Sequence, residues 1–172
     1  VTLELYRVTH SQRNVELGDV VNAELVAQVT LDGTTDTNDN NPHNNNMPPG
    51  DDTATQGTND TVYGYESEPW VATWMNLYSA SKNYSEDNPE HYHYFIREVT
   101  EINGYKVTYS CYDADGNVPN GWEQKLSVTD EDTGTTTEIT GYLLADMDEA
   151  YTVTVTNTEH YALPETGGTG AA

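Results

Sequence analysis

Apolar and polar residues alternate with period two along much of this chain, the spacing of strands that set one face on a core. Over Val1–Val8, Val1, Leu3 and Leu5 share a face, with Thr2, Glu4 and Tyr6 opposite. From Asp19 to Leu31 the same spacing puts Val21, Ala23, Leu25, Ala27 and Val29 on one side. Residues 32–61 then turn to Asn, Asp, Thr, Gly and Pro, with Met47 and Ala54 almost alone as apolar positions. Such a stretch cannot bury a core and reads as a long polar loop insertion. The pattern resumes near Trp70, where Trp70, Ala72 and Trp74 are predicted to share a strand face running into Asn76-Leu77.

After a polar, turn-rich stretch from Lys82 to Glu90, the strongest strand is predicted over His91–Thr100. Tyr92, Tyr94, Ile96 and Glu98 form its expected core face, and His91, His93, Phe95, Arg97 and Val99 the other. Asn103-Gly104 is a hairpin signal, with Tyr105–Tyr112 as the expected partner strand. Weaker strands fall within Leu126–Thr140 around Thr133-Gly134. Tyr142–Ala150 reads as a helical turn or irregular connection, and Tyr151–Asn157 as the last strand. Many short strands without an amphipathic helix predict an all-β sandwich over residues 1–161, followed by a small, polar tail over 162–172.

Charge narrows the function classes. Six Lys+Arg stand against 29 Asp+Glu, a net charge of −23. Phosphate backbones and anionic membranes need clustered cations, so neither nucleic acid nor a membrane surface is an expected partner. Thirteen Tyr against a single Phe predict a modest core rimmed by tyrosines. Cys111 is the only cysteine, which excludes an intramolecular disulfide and a CxxC site.

Two polar residues break the core pattern. Glu98 shares its face with Tyr94 and Ile96, and Asn157 shares one with Tyr151, Val153 and Val155. An unpaired buried carboxylate is costly and tends to hold its proton. From pattern alone, a satisfied polar pair at the sandwich rim explains both residues.

Three segments together carry a family resemblance. Tyr94-Phe95-Ile96-Arg97-Glu98 followed by Asn103-Gly104-Tyr105 resembles the E-box of collagen-adhesin B type (CnaB-like) domains, found in pilins and adhesins of Gram-positive surfaces. Trp70–Leu77 resembles the Trp-rich strand before it, and Thr154–Thr158 the closing strand. The resemblance implies an immunoglobulin-like sandwich in which a first-strand lysine attacks a last-strand Asn amide. A buried Glu acts as general acid and base, ammonia leaves, and an intramolecular isopeptide bond remains. Glu98 and Asn157 match two of the three roles. Lys82, Lys106 and Lys125 do not match the third, and Val1–Tyr6 resembles the family's second strand. The lysine is therefore expected upstream of Val1, and an open edge is expected beside the strand ending in Asn157. An internal lysine donor and a domain without the bond are the alternatives.

Leu163-Pro164-Glu165-Thr166-Gly167 matches the sortase recognition motif. It implies cleavage after Thr166 and joining to a peptidoglycan or pilin amine, hence an extracellular, cell-wall-anchored protein. His91 and His93 with Glu90 resemble a Zn²⁺ pair, but a structural site needs more ligands, so they read as an exposed strand face. Asp36–Asn41 and Asp51-Asp52 read as solvated loop, and Asp113–Asn117 as a turn, rather than as Ca²⁺ sites. No metal or cofactor is expected. The resulting expectation is a wall-proximal stalk or anchor domain, not a turnover enzyme, with sortase as partner. The alternative is a module that binds a host protein or glycan.

Overall fold

The computed structural model describes residues 1–13, 17–35, 62–75, 77–99, 102–147 and 149–159. These residues are all-β. Nine strands run in order: β1 (Thr2–His10), β2 (Val20–Thr30), β3 (Tyr63–Glu68), β4 (Val71–Met75), β5 (His91–Glu98), β6 (Tyr105–Tyr112), β7 (Glu123–Thr129), β8 (Thr136–Ala145) and β9 (Thr152–Glu159).

Five of them close a hydrogen-bonded ring, β1-β2-β7-β8-β5, while β3–β4 and β6–β9 form two-stranded sheets. The ring closes because two long strands change partner along their length. Residues 20–23 of β2 run parallel to β7, and residues 24–30 pair antiparallel with β1. Residues 136–142 of β8 pair with β7, and residues 142–145 with β5. Each change is accompanied by a register shift, the usual device for turning a strand from one sheet to another. Gly141 sits at the second crossing, where an added Cβ would lie 2.6 Å from Leu126 and 2.8 Å from Phe95.

The core has two main parts, one on each face of β5. Phe95 packs with Tyr6, Val8, Leu17, Val21, Leu126 and Leu143. On the opposite face, Tyr94 and Ile96 pack with Leu5, Val62 and Ala145, and Val153 and Val155 of β9 close over them. β1 and β5 pair through their full length and are covered on both sides.

Several expectations are corrected by this arrangement. Tyr6, Phe95, His91 and His93, placed on outer faces by alternation, are buried. Period two identifies two faces but not whether both are covered. Leu25 is 48% exposed; it stands where β2 leaves β7 for β1, next to the register shift that skips Val26 and puts 27–30 out of phase with the residues before it. Trp70 does not share a face with Ala72 and Trp74; it occupies the β3–β4 turn with a φ of 66°. The predicted hairpin does not form: β6 pairs with β9 rather than β5. Residues 142–145 continue β8 as strand, where a helical turn or irregular connection was expected. β3 was not anticipated, because its inward positions are Gly64 and Glu66. Gly64 is required there: a Cβ would stand 2.6 Å from the Trp74 ring.

Candidate functional site

β5 and β9 bring Glu98 and Asn157 together. On β9, period two carries the inward face from Val153 and Val155 to Asn157; on β5 it carries it from Tyr94 and Ile96 to Glu98. The two sheets pack face to face, so the residues that follow their apolar runs meet at one end. Asn157 Nδ2 donates to Glu98 Oε1 at 2.9 Å. Glu98 is 7% exposed. The remaining side-chain atoms of the pair, Glu98 Oε2 and Asn157 Oδ1, are buried without a hydrogen-bond partner. One contact therefore satisfies half of each group, and the rest incurs the cost of burial without a partner.

Tyrosines wall the pair. The Glu98 N–H donates to Tyr109 Oη at 2.9 Å. The Tyr109 ring stacks on Tyr142 with centroids 3.7 Å apart, and Trp122 tilts against Tyr142 at 5.4 Å. Burial raises the Tyr109 phenol above its ordinary value, so it stays a neutral hydroxyl near neutral pH. Glu98 lies between two open grooves. One, of about 560 Å³, is lined by Ile102–Tyr105, Val107 and Tyr109. The other is lined by Arg97, Tyr109, Lys125, Glu138 and Tyr142, among others.

No lysine occupies the third position. Lys125 lies on β7, with its side chain 60% exposed and Nζ 3.7 Å from Glu138. Lys106 pairs with Thr158 one position beyond the Val107–Asn157 pair, and its side chain is exposed. Lys82 is exposed between β4 and β5. Among the described residues, β9 hydrogen-bonds to β6 alone, leaving its other edge unpaired.

A second buried carboxylate, Glu66, was not singled out from the sequence. It is 1% exposed. Its Oε1 accepts from Asp32 N at 2.9 Å, and its Oε2 from Gly33 N at 3.0 Å and Trp70 N at 2.6 Å. Three backbone donors on one carboxylate tie the residues after β2 to the β3–β4 turn. The available signal was its inward position two residues after Gly64, on a segment with tyrosines at Tyr63 and Tyr65.

The remaining candidates divide cleanly. Asp113 Oδ1 accepts from Asp115 N and Asn117 N, the local bonding of a turn. Asp36–Asn41, Asp51-Asp52 and the motif Leu163–Gly167 lie outside the described residues. Among the described residues, no three His, Cys, Asp or Glu side chains gather as a metal-binding group. Comparison with models of known families, with curated proteins and with solved structures gives no match to this chain.

Proposed function

We propose that this chain is a structural module of the immunoglobulin-like CnaB type, acting as a wall-proximal stalk or anchor domain of a Gram-positive surface protein or pilin subunit. Its Glu98–Asn157 pair forms a Lys–Asn isopeptide bond with a lysine on a strand laid along β9. Sortase joins the protein to a peptidoglycan or pilin amine through Leu163–Gly167.

The observation that carries this reading is the half-satisfied pair beside an unpaired edge. An amide and a carboxyl in contact, each with a buried atom lacking a partner, suit a third polar group. The β9 edge supports the same reading. Its segment TVTVTNTE carries no Lys or Pro and its ladder with β6 shows no register shift, so among the described residues the edge has no bulge, lysine or proline to discourage strand pairing. A covering strand would complete the sheet and bring in the amine.

The chemistry is a single turnover. The neutral lysine Nζ attacks the Asn157 side-chain carbonyl carbon, forming the new C–N bond. With the amide turned so that Oδ1 faces the carboxyl, Glu98 donates a proton to the developing oxyanion. The resulting carboxylate takes a proton from the attacking lysine nitrogen and passes it to the amide nitrogen. The tetrahedral hydroxyl returns its proton to Glu98 as the carbonyl re-forms, and the C–N bond to the amide nitrogen breaks to release ammonia. Packing of β5 against β9 supplies the proximity. A bond between the first and last elements of a fold would keep its ends together under tension.

A second reading, a module that binds a host protein or glycan, is favoured by the exposure of Trp70, Val71, Met75, Tyr78 and Tyr84 on and around β4. Intact mass under denaturing conditions separates the internal-donor alternative from the proposal. This 172-residue chain alone should show its full mass. With upstream sequence included, the mass should fall short by one ammonia, and Glu98→Ala or Asn157→Ala should restore it. Full mass in the longer chain would reject the cross-link.

A further inference from the structure

Every buried side-chain polar atom lacking a hydrogen-bond partner among the described residues belongs to one of two groups, one at each end of β5. Glu98 Oε2 and Asn157 Oδ1 mark one end; Glu90 Oε2, His91 Nδ1 and His93 Nδ1 mark the other. The second group belongs to no site described above.

His91 and His93 share a face of β5, and His10 stands directly across from His91 on β1, so all three histidines face the same side. His91 is 5% exposed and His93 fully buried. His93 Nε2 lies 2.8 Å from the Gln12 carbonyl, a contact only an N–H can make, so the ring proton sits on Nε2 and Nδ1 is a bare lone pair. The Gln12 N–H donates to His10 Nδ1 at 3.0 Å, so one residue after β1 is held by two histidines. The Tyr84 ring covers His91 at 5.0 Å. Residues 79–81 are tied to β5 through Tyr92 N to Ser79 O and Ser81 N to Glu90 O.

This end therefore holds two buried acceptors, His93 Nδ1 and Glu90 Oε2, without a donor. Among the described residues no three metal-binding side chains gather, and a bare imidazole nitrogen such as His93 Nδ1 takes a proton directly. The groups facing His93 are His10 from β1, His91 from β5 and Asp146 from the end of β8. Asp146 is already engaged by the Tyr151 hydroxyl at 2.9 Å and by Glu149 N. A proton on His93 Nδ1 would create a buried N–H without an acceptor and a charge beside two other imidazoles.

We propose that this histidine cluster is a proton-triggered latch: on mild acidification His93 becomes charged, and residues 11–13 and 79–90 come away from this end of the ring while β6 and β9 stay in place. Burial, opposed by the Gln12 carbonyl, lowers the His93 proton affinity below its ordinary value of 6.5, consistent with a latch closed at neutral pH.

The test is amide hydrogen exchange of the full chain, corrected for intrinsic rates, at about pH 7.5 and about pH 5, together with an NMR titration of the histidines. Amides of 12–13 and 79–90 should lose protection about tenfold or more, with β6 and β9 unchanged. His93→Gln keeps an N–H for the Gln12 carbonyl and cannot titrate, so it should abolish the pH response. Equal loss of protection in His93→Gln, or loss spread over the whole molecule, would overturn the proposal. Should that variant fail to fold, the titration decides: His93 protonating at or above its ordinary value would also overturn it.

Discussion

The two ends of β5 were built by the same alternation and handle buried polarity differently. At the Glu98 end, a carboxyl meets an amide on a neighbouring sheet, so one hydrogen bond forms and two oxygens are left without a partner. At the His91 end, His93 Nδ1 is a bare lone pair, and Glu90 Oε2 and His91 Nδ1 are buried without a partner beside it in sequence. Two oxygens left over beside an amide–carboxyl contact suit a donor with more than one N–H, such as an amine. A set of like acceptors invites a cation. The difference lies in which side chains each strand carries beyond its apolar run, since the pleat treats both ends alike.

The largest perturbation removes what the ends share. Phe95 is fully buried between them, and Phe95→Ala should cost about 3–5 kcal/mol, shifting the urea midpoint far enough to lose both ends together. Loss of one end with the other intact would show that β5 does not couple them. Next in size is Glu98→Ala, which leaves the Asn157 amide buried with neither atom partnered. Urea unfolding should register about 1–3 kcal/mol of destabilisation, and the proposed isopeptide bond should fail to form.

The pH dependence is smaller and belongs to the other end. His93 binds its proton more weakly folded than unfolded, so the unfolded chain takes up more protons between the two values. The cluster's contribution to stability is whole above the ordinary 6.5 and is lost as pH falls through the lowered folded value. Urea midpoints measured across that range should fall on acidification in the parent and change less in His93→Gln. The smallest expected effect is Lys125→Ala. Its pairing with Glu138 is exposed at both partners and should contribute well under about 1 kcal/mol. The proposed cross-link should be unaffected, whereas its loss would make Lys125 the donor.

How far the sequence revealed these ends follows from what alternation encodes. It placed Glu98 and Asn157 on faces with apolar neighbours, and the contact between them follows once the two sheets pack. It assigned β1, β2, β5 and β9 within a few residues, because each has three or more apolar positions in phase. It could not reveal that β5 is covered on both sides, since His91, His93 and Phe95 read equally well as an outer face. Nor could it reveal β3, whose inward positions are a glycine beneath Trp74 and the Glu66 carboxylate bound by three backbone donors. The ring closure depends on β2 and β8 each changing partner, and a single strand's pattern does not carry its pairing. Asn103-Gly104 does form a turn, with Gly104 at a φ of 85°, but its flanking strands go to different sheets.

The most direct test of the central claim is peptide mapping of the protein recovered from its native source, with the fragment containing Asn157 identified by mass. The account predicts that this fragment is joined to a lysine-bearing peptide, their combined mass short by one ammonia, and that Glu98→Ala yields the two peptides separately. An Asn157 fragment recovered only as a linear peptide with its amide intact would contradict it.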